Sequence, residues 1–389
     1  MPLIHSATWN IGSTPPTLLR IFHACGALFV KTAEATAFVT STLASATAEI
    51  SQEFSKLNAT SDADHPPAST SLQHNTHLII GLVLLQTVCL FQGESEGGVK
   101  TQPHTNVEHH AMLVTMIRQT RLIERVRSWE APDWSDPILL DAAWKEWVRF
   151  ATIKRALLLA YFHDCCHCMY SASPPAFSPA ELDVHLPCDD ALWRAQTAAE
   201  WFTAAHTPGI YGVGMQRIYG VSMQRAFKAL STPLTASNYD DDATRLPLTP
   251  FGLFILIHTV LRNISVARTA RTPPPGGWSC FAMVAAPVAP TNRVDADADK
   301  AEFTFRTQVV LDNWLQLWLT SPETALELNG GGSGAGEQQL PFVCNSLPFH
   351  WLAQVSLWEN SLDGPWPLVD LGLGASSKPN TLSQSGMQW

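Results

Sequence analysis

Four residues in this chain have the types and spacing of a metal centre. Cys165-x-x-Cys168 is followed by His185-x-x-Cys188, and two pairs each separated by two residues are the usual frame of a tetrahedral zinc site closed by sulfur and nitrogen ligands. The competing reading is structural. Cys165 and Cys168 close a long apolar run, where Cys behaves as a small hydrophobe, and this reading is preferred. His163 and His167, at i and i+4, form a weaker ligand pair, read instead as helix-end histidines satisfied by backbone carbonyls.

Asp240-Asp241-Asp242 is the other candidate, because acidic clusters hold magnesium for diphosphate chemistry and would suggest a terpene-synthase-like helical enzyme. That chemistry needs carboxylates one turn apart on a helix. Three consecutive Asp in a Ser/Asn/Thr-rich stretch read as a solvated turn. Nucleophile and nucleotide motifs are missing: there is no Gly-x-Ser-x-Gly, no P-loop, and Gly209, Gly212 and Gly214 lack a flanking strand. No catalytic, cofactor-binding or metal-ligating residue is assigned.

The element that would position these groups runs from Asp141 to Trp193. Trp144, Trp147, Val148 and Ala151 share one helical face, and from Ala156 to Phe162 the polar face disappears. Seven such residues facing water would form a large exposed patch, so this helix must be walled in by others. Asp164 then has to be neutralised, hydrogen-bonded or turned outward, since an unpaired buried charge is very costly. Lys154 and Arg155 are expected to pair within the chain, with Asp164, Asp189 or Asp190. Pro174-Pro175 stops the helix, Ser178-Pro179-Ala180-Glu181 has the layout of a capping box, and Leu186 to Asp190 caps a helix carrying Trp193 and Trp201.

The order of Trp144-x-x-Trp147, Lys154-Arg155, an apolar run ending in Asp164, Pro174-Pro175, Glu181, Leu186-Pro187-Cys188 and Trp193 resembles the fungal-specific transcription factor domain, the helical middle region of fungal zinc-finger regulators. Leu248 to Ser265 and Asn345 to Trp358 agree with it, so the likeness extends from about Leu72 to Trp358. Ala151 stands where the family usually has Glu, and no DNA-binding finger is legible. The resemblance implies a nuclear, non-enzymatic regulatory domain, whose partners would be a small-molecule effector or a second regulator in a homo- or heterodimer.

Composition agrees with a folded protein. Of 389 residues 46% are hydrophobic, 14 are Trp, and the net charge is -10, which lacks the phosphate-attracting field of a nucleic-acid binder. Direct DNA binding by this chain is not expected. The eight Cys follow no disulfide framework and are read as reduced thiols; the start is not a signal peptide, and Leu78 to Phe91 is too short to span a bilayer of roughly 20 helical residues.

The expected fold is all-α, a multi-helix bundle with long irregular surface loops, forming one domain over residues 1–372 with a disordered tail over 373–389. Helices are expected over Thr17 to Leu57, Thr76 to Gln92, Val107 to Trp129, Thr249 to Arg268, Glu302 to Thr320 and Phe342 to Asn360. The arginines of Val107 to Trp129 are read as a solvated face. Thr269 to Ala298, with Pro273 to Gly277 inside it, reads as the longest irregular stretch, and Gly330 to Glu337 as a flexible linker. The tandem YGVGMQRI-YGVSMQR from Tyr211 to Arg225 is read as a local loop duplication, one copy of which is dispensable.

Overall fold

The computed structural model describes residues 3–60, 69–91, 103–134, 136–178, 181–209, 214–232, 246, 248–270, 293–321 and 345–361. These form thirteen α-helices and one short 3-10 turn, with no strand among the described residues beyond an isolated bridge of His185 with Ser222. The all-α expectation holds.

The longest helix, α6 (Leu140–Tyr170), is the axis of the molecule. Trp147, Ala151, Ala156, Leu157, Leu158, Ala160 and Tyr161 are fully buried along it, as the loss of a polar face requires. On one side stand α1 (Pro16–Ala27), α2 (Ala33–Thr60), α3 (Ser69–Phe91) and α4 (Pro103–Gln119). Of these α3 is the second buried rod, apolar all round from Ile79 to Val88 apart from Gly81, Gln86 and Thr87, and it packs on α1, α4 and α6. On the other side α11 (Pro250–Ala270) lies against α6, backed by α12 (Arg293–Thr320) and α13 (Leu347–Ser361). One continuous apolar cluster links Leu3 to Leu357. α11 is long and apolar enough to cross a membrane, but 78% of its most apolar window is buried inside the protein.

Short helices close the N-terminal end of α6: α5 (Leu122–Arg127), α7 (Asp190–Arg194), α8 (Ala198–His206), α9 (Met215–Tyr219) and α10 (Met223–Leu230). Several expected boundaries shift here for local reasons. Val107 to Trp129 is two helices, α4 and α5, meeting at Arg121, whose φ of 51° breaks the helical path. The helix expected to carry both Trp193 and Trp201 is also two. Asp189 caps α7, and the chain re-enters helix at Thr197, whose side chain accepts from the Glu200 amide. The capping box at Ser178 makes its hydrogen bond, Glu181 N–H to Ser178 Oγ at 3.0 Å, but closes only a turn.

The tandem repeat is corrected most. It builds α9, the turn after it and the start of α10, and its backbone is bonded to α6: Lys154 Nζ donates to Tyr219 O at 2.8 Å and Trp147 Nε1 to Ile218 O at 3.4 Å. It is a framework, not a spare loop. Asp240 to Asp242, Pro273 to Gly277, Gly330 to Glu337 and the tail 373–389 lie outside the described residues.

Candidate functional site

Two clusters of buried charge sit along α6, and both tie this helix to irregular backbone. At the N-terminal end Lys154 and Arg155 are buried in succession. The Lys154 ammonium donates to Tyr219 O and lies 5.0 Å over the Phe150 ring; burial lowers its pKa to about 8, the Cys188 thiol opposing that shift and Arg155 adding to it. The Arg155 guanidinium lies 4.1 Å over the Trp193 ring and 5.5 Å over Phe251, with NH2 3.7 Å from Asp190 Oδ1. The expected pairing with Asp190 is thus observed for Arg155, whereas Lys154 is held by a carbonyl and a ring.

Asp189 serves two masters. One carboxylate oxygen caps α7 by accepting from Ala191 N at 2.8 Å, and the other receives Arg217 through Nε at 2.8 Å and through NH2. Arg217 NH1 also donates to Ala204 O and Thr207 O, so one buried guanidinium joins α7, α8 and α9. The following turn needs a glycine. Gly220 has φ 79°, and a Cβ there would stand 2.5 Å from Leu186 O, beside the Leu186 N–H to Val221 O bond of 2.7 Å. An open concavity of about 480 Å³ lies between α7 and α8, lined by Ala191, Ala199, Glu200, Thr203, Ala204, Thr207 and Arg217.

The second cluster surrounds Asp164, 1% exposed. Its carboxylate accepts from Ala176 N at 2.8 Å, Phe177 N at 3.2 Å and His110 Nε2 at 3.1 Å, and Arg262 NH2 stands 3.9 Å away. The carbonyls of the same dipeptide are taken by arginines: Arg118 NH2 donates to Ala176 O at 2.7 Å and Arg262 NH2 to Phe177 O at 2.5 Å. Arg118 also forks onto Glu181 at 2.7 and 2.9 Å, and Arg262 NH1 donates to Tyr161 OH at 3.0 Å. Burial pushes the Asp164 pKa upward, but the His110 hydrogen bond, Arg262 and the Ala176 amide together hold it below the usual carboxylate value. Since a carboxylate only accepts, His110 carries its proton on Nε2.

His163 and His167 are both buried near the end of α6. Burial lowers His163 to about 3 and His167 to about 4; His163 Nε2 lies 3.1 Å from Thr87 Oγ1, and the His167 ring lies 4.5 Å from that of His110. The thiol of Cys168 is pushed up to about 12 by burial, and those of Cys165, Cys166 and Cys188 are raised for the same reason. Burial thus favours the neutral thiol at each of these four positions. Nor do the four candidate zinc ligands meet. Cys188 lies beside Lys154, eleven residues before Cys165, which is about 16 Å along a helix. Among the described residues no three His, Cys, Asp or Glu side chains are placed to hold a metal.

Several of these partners escape a reading of the sequence. Arg262 has a signal: it is the one formal charge in the apolar stretch Leu248 to Ser265 and must be paired. Arg217 has none, because its repeat twin Arg225 looks identical in sequence yet is exposed.

The landmarks carrying the likeness therefore converge: Trp147, Lys154, Arg155, Asp164, Glu181 and Cys188 all serve the junctions between α6 and its loops. The family model described as the fungal specific transcription factor domain matches residues 1–237. That span starts before Leu72 and stops short of the stretches Leu248 to Ser265 and Asn345 to Trp358. A nicotinate catabolism cluster-specific transcription factor of Emericella nidulans is 29% identical over 126 residues, 31% of this chain and 14% of that protein. The chain thus spans about one seventh of that relative's length, and no solved structure matches it. With the model covering more than half of its residues, the chain belongs to the fungal-specific transcription factor domain family.

Proposed function

We propose that the chain is a nuclear, non-catalytic regulatory body of pathway-specific transcription control, folded as one domain over residues 1–372. Its signal would arrive as a small effector or as a partner regulator. The observation that carries the reading is the fate of the reactive groups on α6. Imidazoles and thiols that burial keeps neutral and a carbonyl-bound lysine lie inside the fold, and the hollow that His163, Cys166 and His167 line holds only about 40 Å³.

The relative from Emericella nidulans is by name specific to a catabolic gene cluster, and control of one metabolic pathway is proposed here by extension. Net charge -10 supports DNA recognition by another module or a partner instead of by these residues. Deleting the gene and profiling transcripts tests this. The expected result is a changed set of clustered pathway genes together with nuclear fluorescence of a tagged chain; an unchanged transcriptome and cytosolic protein would contradict it.

A further inference from the structure

A Ser or Thr followed by Pro is the dipeptide that proline-directed kinases read, and the chain carries several. The described ones sort by burial. Thr14, Thr249 and Ser321 are buried and Ser173 is half-buried, while Ser178, Thr207 and Thr232 are exposed. Each of the two exposed threonines ends a helix, where its Oγ1 donates to a carbonyl: Thr207 to Thr203 O at 2.8 Å and Thr232 to Lys228 O at 3.0 Å. A phosphate there would face carbonyl oxygens and the negative end of a helix dipole. Ser178 has the opposite polarity. Its Oγ accepts from Glu181 N–H at 3.0 Å, a bond that a phosphate oxygen can take over.

A cation stands beside this turn. Arg118, exposed on α4, forks onto Glu181 at 2.7 and 2.9 Å and reaches Ala176 O at 2.7 Å, two residues before Ser178. A guanidinium binds a phosphate of charge about −2 more strongly than a single carboxylate. The turn is also placed to pass a change inward. Ala176 and Phe177, which lead into Ser178, are the residues whose backbone Asp164 and Arg262 hold.

We propose that Ser178 is the phosphoacceptor of a proline-directed kinase, its phosphate seated by the Glu181 amide and the Arg118 guanidinium. The donor is a nucleoside triphosphate. Ser178 Oγ bonds to the terminal phosphorus, the bond from that phosphorus to the nucleoside diphosphate breaks, and the hydroxyl proton passes to the base of the kinase. The phosphate draws Arg118 from Glu181, which turns to water, and competes with its hold on Ala176 O. The modification is thereby read at the buried junction of α4, α6 and α11. A covalent input of this kind goes beyond the function proposed above, and its test involves no transcription, so either can fail alone.

Treating the folded full chain with a proline-directed Ser/Thr kinase and ATP, and mapping phosphopeptides over time, tests the site. Ser178 should fill first, several-fold ahead of Thr207 and Thr232, with the helical circular dichroism unchanged. No phosphate at Ser178, or equal filling of the three positions, would overturn the proposal. Phosphorus NMR titration of the modified chain tests the seat. The second ionisation of the phosphate should lie below the value of about 6 for free phosphoserine, stay low in Arg118→Lys, which keeps the charge, and rise in Arg118→Ala. A value of about 6 in all three chains would overturn it.

Discussion

Asp164 on α6 and Arg262 on α11 stand 3.9 Å apart and close on the same residue: the Phe177 amide donates to Asp164 and the Phe177 carbonyl accepts from Arg262. With Arg118 on Ala176 O and Asp164 on Ala176 N, all four backbone polar groups of the dipeptide are satisfied by charged side chains. The loop after Pro174-Pro175 has no ladder of its own, and unpaired buried backbone is costly, so ionised groups supply what secondary structure does not.

Asp164→Asn tests this clamp. It leaves Arg262 buried without its carboxylate, and breaking a buried pair costs about 3–5 kcal/mol. Chemical unfolding should show a loss on the order of 3 kcal/mol, and a loss under about 1 kcal/mol would show that the loop is held otherwise.

The repeat offers a controlled comparison. Arg217→Ala should destabilise by roughly 2–4 kcal/mol, since it strands Asp189 and two carbonyls, while the exposed twin Arg225→Ala should stay within about 0.5 kcal/mol. Equal effects in thermal unfolding would mean that the repeat is a loop after all.

Glycine contrast within the same segment makes a third prediction. Gly214→Ala meets open space at φ 61° and should cost only the left-handed backbone term of about 1–2 kcal/mol, whereas Gly220→Ala adds a clash with Leu186 O and should cost more. The difference in urea midpoint reads this directly, and an equal shift would remove the close approach from the account.

Much of this was legible and some was not. The α6 axis was readable because Ala156 to Phe162 leaves no residue for water, whereas for Lys154 and Arg155 the sequence left Asp164, Asp189 and Asp190 open, and the fold brings Asp190 to Arg155. Three kinds of feature were not. The helix break at Arg121 carries no Pro or Gly, so no local residue type announces it, and the one before α8 is marked only by Thr197-x-x-Glu200, a capping pattern that the sequence reading passed over. Arg217 and Arg225 share their sequence neighbours and differ only in which one faces Asp189. The Asp164 cluster joins α4, α6, the Ala176 loop and α11, and contacts so distant in sequence leave no periodic trace.

Acid sensitivity follows from the buried histidines. His163 is lowered to about 3, and His167 and His258 to about 4. Above pH 6.5 neither folded nor unfolded chain protonates them; below it the unfolded chain binds protons that the folded one refuses, so stability falls from about pH 6.5 toward pH 4. Asp164, lowered in the fold, acts in the same direction at more acid pH. Each imidazole adds a slope approaching about 1.4 kcal/mol per pH unit. His163→Gln should make the unfolding midpoint less steep in pH by about one proton, and an unchanged slope would contradict the burial argument.

The central claim is that this helical body regulates transcription, and joining the whole chain to an unrelated DNA-binding domain in a fungal host tests it most directly. Reporter output should differ several-fold from that of the DNA-binding domain alone and return to that baseline with the clamp-breaking Asp164→Asn. Output indistinguishable from the DNA-binding domain alone, with the fusion folded and in the nucleus, would contradict the account.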